Sequence, residues 1–331
     1  MVGTGLDRRQ FGLSAAGAAI ALAAGRDARA QAGPITRPVT LVVPFAAGGS
    51  TDVLSRIVAR RLSEKTGLSV VVENVGGAGG TIGAGRVARA EPDGSTILMA
   101  TVATHALNPL MAKERPYDPV ADFAPVSLLA TVPNVLLVNP KVPVKSVQEL
   151  IALLKAEPGK YSYASSGVGT PLHLSGELFK VLTGVKMEHV PYRGGGPAMT
   201  DLIGGQVPIM FDVLSGAAGF VRNGSVRALA VTTRTRVGSF PDLPTIAESG
   251  VPDYETYTWN AVFGPAKLPQ PIVEFLSREL QAVIAEPAIR ERLSDLSAVP
   301  VGSDPAGLAA QVKSELEKWA PVIAAAGLKQ T

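Results

Sequence analysis

The sequence contains no cysteine, few aromatic residues and little charge. Its 331 residues include three histidines, and 5% are aromatic and 18% charged. Without cysteine there can be no disulfide, thiolate nucleophile or cysteine zinc site, and three dispersed histidines predict neither a metal site nor a cofactor. Scarce aromatic residues leave few stacking surfaces for nucleic acid bases. A hydrophobic content of 46% excludes a disordered chain and predicts a globular protein.

The excess of basic residues is confined to the N-terminus. The chain has 31 Lys and Arg against 28 Asp and Glu, and four of these basic and two of these acidic residues lie within residues 1–30. The rest of the chain therefore has 27 basic and 26 acidic residues, a net charge of +1. It has no basic run of the kind that binds nucleic acid, so we expect no nucleic acid partner.

Residues 1–30 have the organisation of an export signal. Arg8-Arg9 precedes a short apolar run rich in Ala and Gly, and Ala28-Arg29-Ala30 has the pattern of a cleavage site. The paired arginines and the weakly apolar run favour the twin-arginine route. The run is too short for a membrane anchor, which needs about 20 apolar residues. We therefore expect cleavage after Ala30 and a soluble mature protein in the periplasm.

Strand and helix patterns alternate in two stretches of the mature chain. Short apolar runs rich in β-branched residues alternate with helical patterns. The predicted strands are residues 40–44, 69–73, 96–100, 161–165, 187–192, 207–213 and 226–232. The βαβ order predicts an α/β fold with parallel sheets and right-handed crossovers.

The intervening segments predict two lobes joined by two connections. Ala124–Ala130 and Asn134–Asn139 are strand-like, and Thr131-Val132-Pro133 between them could carry the chain from one sheet to the other. Tyr257–Gly264 follows a short predicted helix at Thr245–Glu248 and provides the return. From Ile272 the chain is predicted to be helical. We predict one lobe of residues 34–131 plus 259–331 and an inserted lobe of residues 132–258, with a hinge and a ligand crevice between them.

Four loops between strands and helices are rich in Gly, Ser and Thr. They cover residues 44–52, 76–81, 165–171 and 192–197. Glycine lets the backbone approach a ligand, and a helix start offers unpaired N–H groups and a positive dipole end. Any one of these loops could be an ordinary turn. Loops from both halves together favour a carboxylate-sized anion held between the lobes, at the carboxyl ends of the strands.

Other binding motifs are weak in this sequence. No phosphate-binding P-loop is present, and the partial dinucleotide pattern Gly83-x-Gly85-x-x-Ala88 lacks the acidic residue expected after the next strand. Thr101, Thr104 and His105 instead place hydroxyl and imidazole groups at a strand end. Tyr257 and Trp259 could line the crevice or belong to the core.

An exported hydrolase is the enzymatic alternative. Ser165, Ser166, His173 and Asp212 include the residue types of a catalytic triad, but the G-x-S-x-G motif that exposes a nucleophile is absent. We expect His173 to point at the cleft or the core rather than to act as a base. Asp212 could cap the following helix or receive a ligand ammonium. We therefore predict a protein without catalytic residues.

A series of motifs resembles the Bug family, the periplasmic solute receptors of tripartite tricarboxylate transporters. The matching segments, in order, are residues 44–52, 72–74, 77–80, 92–94, 108–109, 117–119, 122–125, 163–167, 189–192 and 242–245. The resemblance extends over residues 35 to 328. It implies a type II periplasmic-binding-protein fold that closes on a small carboxylate and delivers it to the membrane subunits of such a transporter. We expect the receptor to be a monomer.

The resemblance also implies which residues bind the ligand, through backbone amides, hydroxyls and bridging waters. The ligand could be citrate, another di- or tricarboxylate, an acidic amino acid or an aromatic acid. A sensory module for a chemoreceptor or sensor kinase would have the same site. The implied residues are Phe45, Ala46, Gly49, Ser50, Asp52, Thr104, His105, Ser165, Ser166, Thr170, His173 and Asp212.

Overall fold

The computed structural model describes residues 34–329, so the predicted export signal over residues 1–30 lies outside it. Within this range the strands are β1 Val39–Val43, β2 Val70–Asn74, β3 Thr96–Thr101, β4 Phe123–Val138, β5 Ser162–Ser165, β6 Glu188–Pro191, β7 Ile209–Val213, β8 Arg227–Val231, β9 Tyr257–Pro265 and β10 Val299–Pro300. The helices are α1 Ser50–Thr66, α2 Thr81–Ala88, α3 Asn108–Met111, α4 Val147–Ala156, α5 Pro171–Thr183, α6 Gly195–Gly204, α7 Leu214–Arg222, α8 Gln270–Ala285, α9 Pro287–Asp295 and α10 Pro305–Ala325.

The first half of the fold is a mixed sheet in which β2, β1 and β3 run parallel. Val39 of β1 is opposite Val70 of β2, and Leu41 is opposite Ile97 of β3. Strand β9 then pairs antiparallel with β3 and with β4. The predicted βαβαβ unit is confirmed. Each helix crosses one face of the sheet and returns the chain to the edge where the preceding strand began. The next strand therefore runs parallel to that strand.

The second half repeats this arrangement with β6, β5 and β7 in parallel. Strand β5 lies between β6 and β7, and β4 pairs antiparallel with both β7 and β8. One long strand thus belongs to both sheets. Up to Pro133 it pairs with β9, and from Asn134 it pairs with β7.

The prediction of two separate strands over residues 124–139 was therefore wrong. The chain runs through Pro133 as one extended strand, because proline at the end of a ladder only removes a donor and its fixed φ suits extended backbone. Pro133 is opposite Tyr257, the first residue of β9. The change of partner occurs without a break in the strand.

Two predicted helical regions also differ. Thr245–Glu248 forms a turn: Thr245 Oγ1 accepts from the Glu248 amide at 2.9 Å, but Gly250, at a φ of 92°, ends the turn before a helix develops. The region after Ile272 contains three helices, which are interrupted by β10 beside β4. Helix α4, which begins at the N-cap Ser146, was not predicted.

The C-terminal helices complete the core of the first half. Helices α8 and α10 pack against β4, and Trp259 and Trp319 are both fully buried. Trp319 Nε1 donates to Glu315 Oε2 at 2.6 Å, which satisfies a polar atom inside the core. Between Pro34 and Lys329, no helix combines the length and the apolar character needed to cross a bilayer. Mixed sheets with covering helices thus form both halves of the fold, as the predicted α/β class requires.

Candidate functional site

A cavity of about 540 Å³ lies between the two halves of the fold. Its walls are the loops that follow β1, β2, β3, β5 and β6, the last residues of β3 and β7, and one residue of β9. They therefore come from the carboxyl ends of strands in both sheets. The lining residues are Phe45, Gly49, Ser50, Thr51, Asp52, Gly79, Thr101, Ala103, Asn108, Ser166, Val168, Gly169, Thr170, Pro171, Leu172, Gly194, Val213 and Thr258.

Four helices begin at this cavity. Their N-cap residues, Gly49 of α1, Thr170 of α5, Gly194 of α6 and Val213 of α7, all line it. The caps of α1, α6 and α7 make no side-chain hydrogen bond to their helices. Gly194 has a φ of 111°, which favours glycine. First-turn N–H groups and four positive dipole ends thus converge on one space.

Asp52 organises the first loop of the site. Its carboxylate accepts hydrogen bonds from the Gly48 amide at 2.9 Å, from Asn74 Nδ2 at 2.9 Å and from Arg56 Nε at 3.0 Å. Asn74 Nδ2 also donates to Phe45 O, so the network holds the loop at both ends. Hydrogen bonding from Arg56 and these partners lowers the pKa of Asp52 to about 2. Asp52 borders the cavity as a satisfied anion.

The remaining predicted residues of this loop are placed differently from one another. Phe45, Gly49 and Ser50 line the cavity, whereas Ala46 is exposed to solvent and is not among its walls. The Ser50 side chain lies in the first turn of α1, where an anion would meet the helix dipole.

The loop after β5 brings Ser166 and Thr170 to the cavity and keeps Ser165 and His173 beneath it. Thr170 Oγ1 donates to Gly167 O at 2.8 Å and accepts from the His173 amide, which caps α5. Ser165 is fully buried, and its Oγ lies 2.7 Å from Nε2 of His189, in β6. A buried hydroxyl without an exposed elbow does not have the geometry of a hydrolytic nucleophile.

The predictions for Thr104 and His105 are corrected by the structure. A π-helical turn over Ala103–Leu107 directs Ala103 to the cavity and turns Thr104 and His105 into the core. Thr104 Oγ1 bonds to the backbone of Thr101. The fully buried His105 ring packs against the rings of Phe123 and Phe263, with distances of 4.6 and 4.1 Å between ring centroids.

Burial lowers the pKa of His105 to about 3, so this side chain is a neutral core residue. Thr101 is at the cavity surface, where Thr104 and His105 were expected. It lines the cavity, and its buried Oγ1 has no hydrogen-bond partner in the described part of the chain.

Asp212 lies behind the cavity wall rather than on its surface. It is 7% exposed, and a Cβ atom on Gly195 would lie 3.1 Å from its Oδ1, so the carboxyl group sits against the start of α6. Burial raises its pKa to about 6, and the backbone N–H of Val213 only partly offsets this shift. The adjacent Val213 reaches the cavity instead.

Sequence reasoning missed Asn108 and Thr258. Asn108 Nδ2 donates to Gly79 O at 2.7 Å, which joins two loops of the wall. Thr258 lies between Tyr257 and Trp259, and Trp259 is core. The alternation of faces along a strand could have identified Thr258, because its side chain must point away from the buried Trp259.

The cavity has little charge of its own. Asp52 is the one ionisable side chain among the residues that line it, and it is paired with Arg56. In residues 34–329 no three His, Asp or Glu side chains are grouped closely enough to hold a metal ion. Neutral donors and apolar surfaces such as Leu172 and Val213 therefore face any ligand.

Comparisons with known proteins agree with this geometry. Residues 54–328 match the family described as tripartite tricarboxylate transporter family receptor. The chain is 37% identical to BugT of Bordetella pertussis over 294 residues, covering 88% of this chain and 90% of BugT. Two solved structures are similar over almost their whole length. The R. palustris protein Rpa4515, solved with adipate, is 41% identical, with a TM-score of 0.78 and coverage of 88% of this chain and 98% of that one. MatC of Rhodopseudomonas palustris, solved with malate, is 34% identical, with a TM-score of 0.74 and coverage of 87% and 99%.

Proposed function

The chain belongs to the tripartite tricarboxylate transporter receptor family, and from this premise we propose that it captures a small dicarboxylate in the periplasm and delivers it to the membrane subunits of such a transporter. The family is one of solute receptors rather than enzymes. The observation that carries the ligand class is the convergence of four helix N-termini on a cavity lined by no Lys, Arg or His among the described residues.

Helix termini suit a ligand that must be released. Each terminus stabilises an adjacent anion by roughly 0.3–1 kcal/mol, and up to about 2 kcal/mol in a partly buried geometry. A buried ion pair would need to offset a desolvation penalty of several kcal/mol per charge. Four helix dipoles and water bridges can therefore hold a carboxylate, and the empty pocket then contains no buried cation without a partner.

The cavity also suits a short aliphatic spacer between two carboxylates. Its volume of about 540 Å³ is in the usual range for small-molecule sites, and Pro171, Leu172 and Val213 offer apolar contacts between the helix starts. The adipate and malate in the two related structures are both dicarboxylates. We therefore assign a dicarboxylate of four to six carbons as the preferred ligand.

Delivery would depend on closure of two lobes. We propose lobes of residues 34–131 plus 259–331 and of residues 132–258, with the crossings near Pro133 in β4 and in the segment between β8 and β9. Ligand binding would shift an open and closed equilibrium, because only the closed form places both sets of helix starts around it. The signal in residues 1–30 would be removed during twin-arginine export, and the receptor would act as a monomer.

The ligand class can be tested by thermal shift and calorimetry on the mature protein. We expect adipate and malate to raise the melting temperature, since a ligand that binds only the folded state stabilises it. Adipamide and 1,6-diaminohexane, which have the same chain length without negative charge, should not. If the neutral or cationic compounds bind as tightly as adipate, the anion site is wrong.

One variant separates loss of binding from loss of folding. Ser50→Asp places a carboxylate in the first turn of α1, which favours the helix but repels a ligand anion. We expect affinity for adipate to fall at least about 100-fold with an unchanged or higher melting temperature. Ser146→Asp makes the same change at the N-cap of α4, outside the cavity, and should leave affinity within about twofold.

Transport and sensing differ in the membrane partner. In cells that lack the receptor, loss of labelled dicarboxylate uptake supports delivery to a transporter. Unchanged uptake with loss of a chemotactic or transcriptional response would support a sensory role.

A further inference from the structure

Two histidines are stacked directly beneath the loop that carries Ser166 and Thr170. The rings of His173, in α5, and His189, in β6, are 3.7 Å apart between centroids and 14° from parallel. His173 is 4% exposed, and His189 is partly buried. Neither ring reaches the cavity, so neither histidine can contact a ligand held there.

Each histidine contacts the loop through one ring nitrogen. His173 Nδ1 accepts a hydrogen bond from the amide of Gly169 at 3.0 Å, and His189 Nε2 lies 2.7 Å from Ser165 Oγ. Ser165 Oγ in turn accepts from the amide of Gly167. The two rings therefore hold both ends of the segment 165–169, and Gly169 forms part of the cavity wall.

The ionisable groups around the stack belong to three elements. Glu177 of α5 lies 3.8 Å from His173 Nε2 and forms an ion pair with Lys180 at 2.8 Å. Tyr163 of β5 donates to Glu177 and stacks near both imidazoles. Burial is the largest effect and opposes protonation of both rings; Glu177 favours it, Lys180 opposes it, and His173 also opposes protonation of His189.

We propose that the His173–His189 stack is the positioning element of the ligand-binding loop, and that tight dicarboxylate binding requires both imidazoles to be neutral. The inference rests on the proposed function for its ligand. It deepens that function, because it makes the affinity for the dicarboxylate depend on the pH of the periplasm.

The chemistry of His173 explains the requirement. A nitrogen that accepts a hydrogen bond carries no proton, so His173 Nδ1 must be unprotonated in the observed loop. A proton there would place two donors, Nδ1–H and the Gly169 N–H, against each other. The bond would break and the loop would leave its position. Protonation of His189 adds a second positive charge at stacking distance.

Burial sets the direction of the pH effect. Desolvation lowers the pKa of both histidines from 6.5 to about 4. When the loop moves away and the rings are hydrated, each pKa returns towards 6.5. The displaced state therefore binds more protons between pH 6.5 and pH 4, and affinity falls as the pH decreases through this range.

The decisive experiment is calorimetry with adipate at pH 7.5 and pH 5.5 on the wild type and on His173→Asn/His189→Gln. Asn places an oxygen near the position of Nδ1, and Gln places a polar atom near Nε2, so both loop contacts can persist without titration. We expect the wild type to lose more affinity than the double variant between these pH values, by at most about tenfold per histidine, a limit reached when the displaced loop predominates. At each pH, adipate is protonated to the same extent in the measurement on the wild type and in that on the double variant. The difference in pH dependence between the two proteins therefore comes from the two histidines. Identical pH dependence would overturn the proposal.

A second variant tests positioning at constant pH. His173→Leu preserves bulk but removes the acceptor for the Gly169 amide. At pH 7.5 we expect His173→Leu to bind adipate at least about tenfold more weakly than wild type, and His173→Asn to recover most of this loss. Equal affinity for His173→Leu and His173→Asn would mean that the acceptor for the Gly169 amide does not position the loop, and would overturn the proposal.

A readout without ligand separates this inference from the proposed function. Amide exchange at Gly169 in the free protein should be faster in His173→Leu than in His173→Asn at the same pH, whether or not any carboxylate binds. If the Gly169 amide is equally protected in both variants, the histidine does not hold the loop. If it is differently protected but adipate fails to bind, only the ligand assignment is wrong.

Discussion

Two buried aspartates, Asp52 on a wall of the cavity and Asp212 behind one, have opposite environments. Asp52 accepts from Gly48, Asn74 and Arg56, and these bonds lower its pKa to about 2. Asp212 lies against the start of α6 with little compensation, and burial raises its pKa to about 6. One carboxylate therefore stabilises the folded state when ionised, and the other destabilises it.

The two Asp→Asn variants should shift stability in opposite directions at pH 7.5. Asp52→Asn should lower the free energy of unfolding by roughly 1–2 kcal/mol, because it loses charge-assisted hydrogen bonds but Arg56 is half exposed and screened. Asp212→Asn should raise it by about 1 kcal/mol, because it removes an ionised group from a buried site. Urea unfolding measures both values.

The pH dependence distinguishes the two causes. The contribution of Asp52 is complete above pH 3.8 and is lost as the pH falls through 2, because its folded pKa is lowered. The folded pKa of Asp212 is raised, so the wild type loses stability as the pH rises from 3.8 through 6. The gain in Asp212→Asn should therefore vanish near pH 4. A gain that persists there would mean that ionisation is not the cause.

At the scale of elements, the site consists of loop and helix starts rather than of special side chains. The loop after β5 meets α3 across the cavity: a Cβ atom on Gly169 would lie 2.8 Å from Met111 Cε. Gly169 also has a φ of 74°, which is unfavourable for other residues. The positive φ favours glycine there, and a larger residue would also displace the end of the Met111 side chain, which is the contact between the two halves.

Gly169→Ala should weaken adipate binding by about two- to fivefold, because the added methyl group displaces the end of the Met111 side chain and strains the loop that forms part of the cavity wall. Gly159→Ala is the matched control. Gly159 has a φ of 78°, but a Cβ atom there meets nothing within 4 Å. Both variants should lose about 1–2 kcal/mol of stability from backbone strain, measured by urea unfolding. Calorimetry would contradict the argument if both bound adipate equally.

At the scale of the whole molecule, the two connections between the halves are hydrogen-bonded to each other. Thr232 Oγ1 accepts from the Asn134 amide at 3.1 Å and donates to Thr256 O at 2.6 Å. Ser175 of α5 bonds to Thr256 Oγ1 at 2.8 Å. This group is completely buried, and it links both connections to α5, the helix that begins at the cavity.

Thr232→Val should lower the free energy of unfolding by about 1–3 kcal/mol, because it leaves the buried Asn134 amide without its partner. Affinity for adipate should fall as well, since the two connections would then be held together at this point by the backbone bond from the Thr232 amide to Asn134 O without the hydroxyl bonds. Thr233→Val provides the control, because its hydroxyl bonds only to Thr235 O in the same loop. If the two variants have the same urea midpoint and affinity, packing alone holds the crossings.

The local pattern of the chain determined the secondary structure and the type of site. The periodic pattern of apolar residues predicted the βαβ units. Strand ends and helix starts are local properties, and the Gly, Ser and Thr loops predicted there, residues 44–52 and 165–171, contribute residues to the cavity wall. The resemblance carried by ordered motifs identified the family. Local pattern could not show that β4 continues through Pro133, because only its partners β9 and β7 reveal the change of sheet.

Tertiary structure decided which polar residues face the ligand and which support it. Thr104, His105 and Asp212 are chemically suited to a site, yet packing places them in the core or behind the wall, since a residue's orientation depends on neighbours far away in sequence. The pairing of His189 with Ser165 and its stacking on His173 likewise joins residues that are 24 and 16 positions apart. Local pattern was sufficient for the glycine-rich loops at the strand ends, whereas only long-range packing brings four helix starts to one cavity and stacks two histidines beneath its wall.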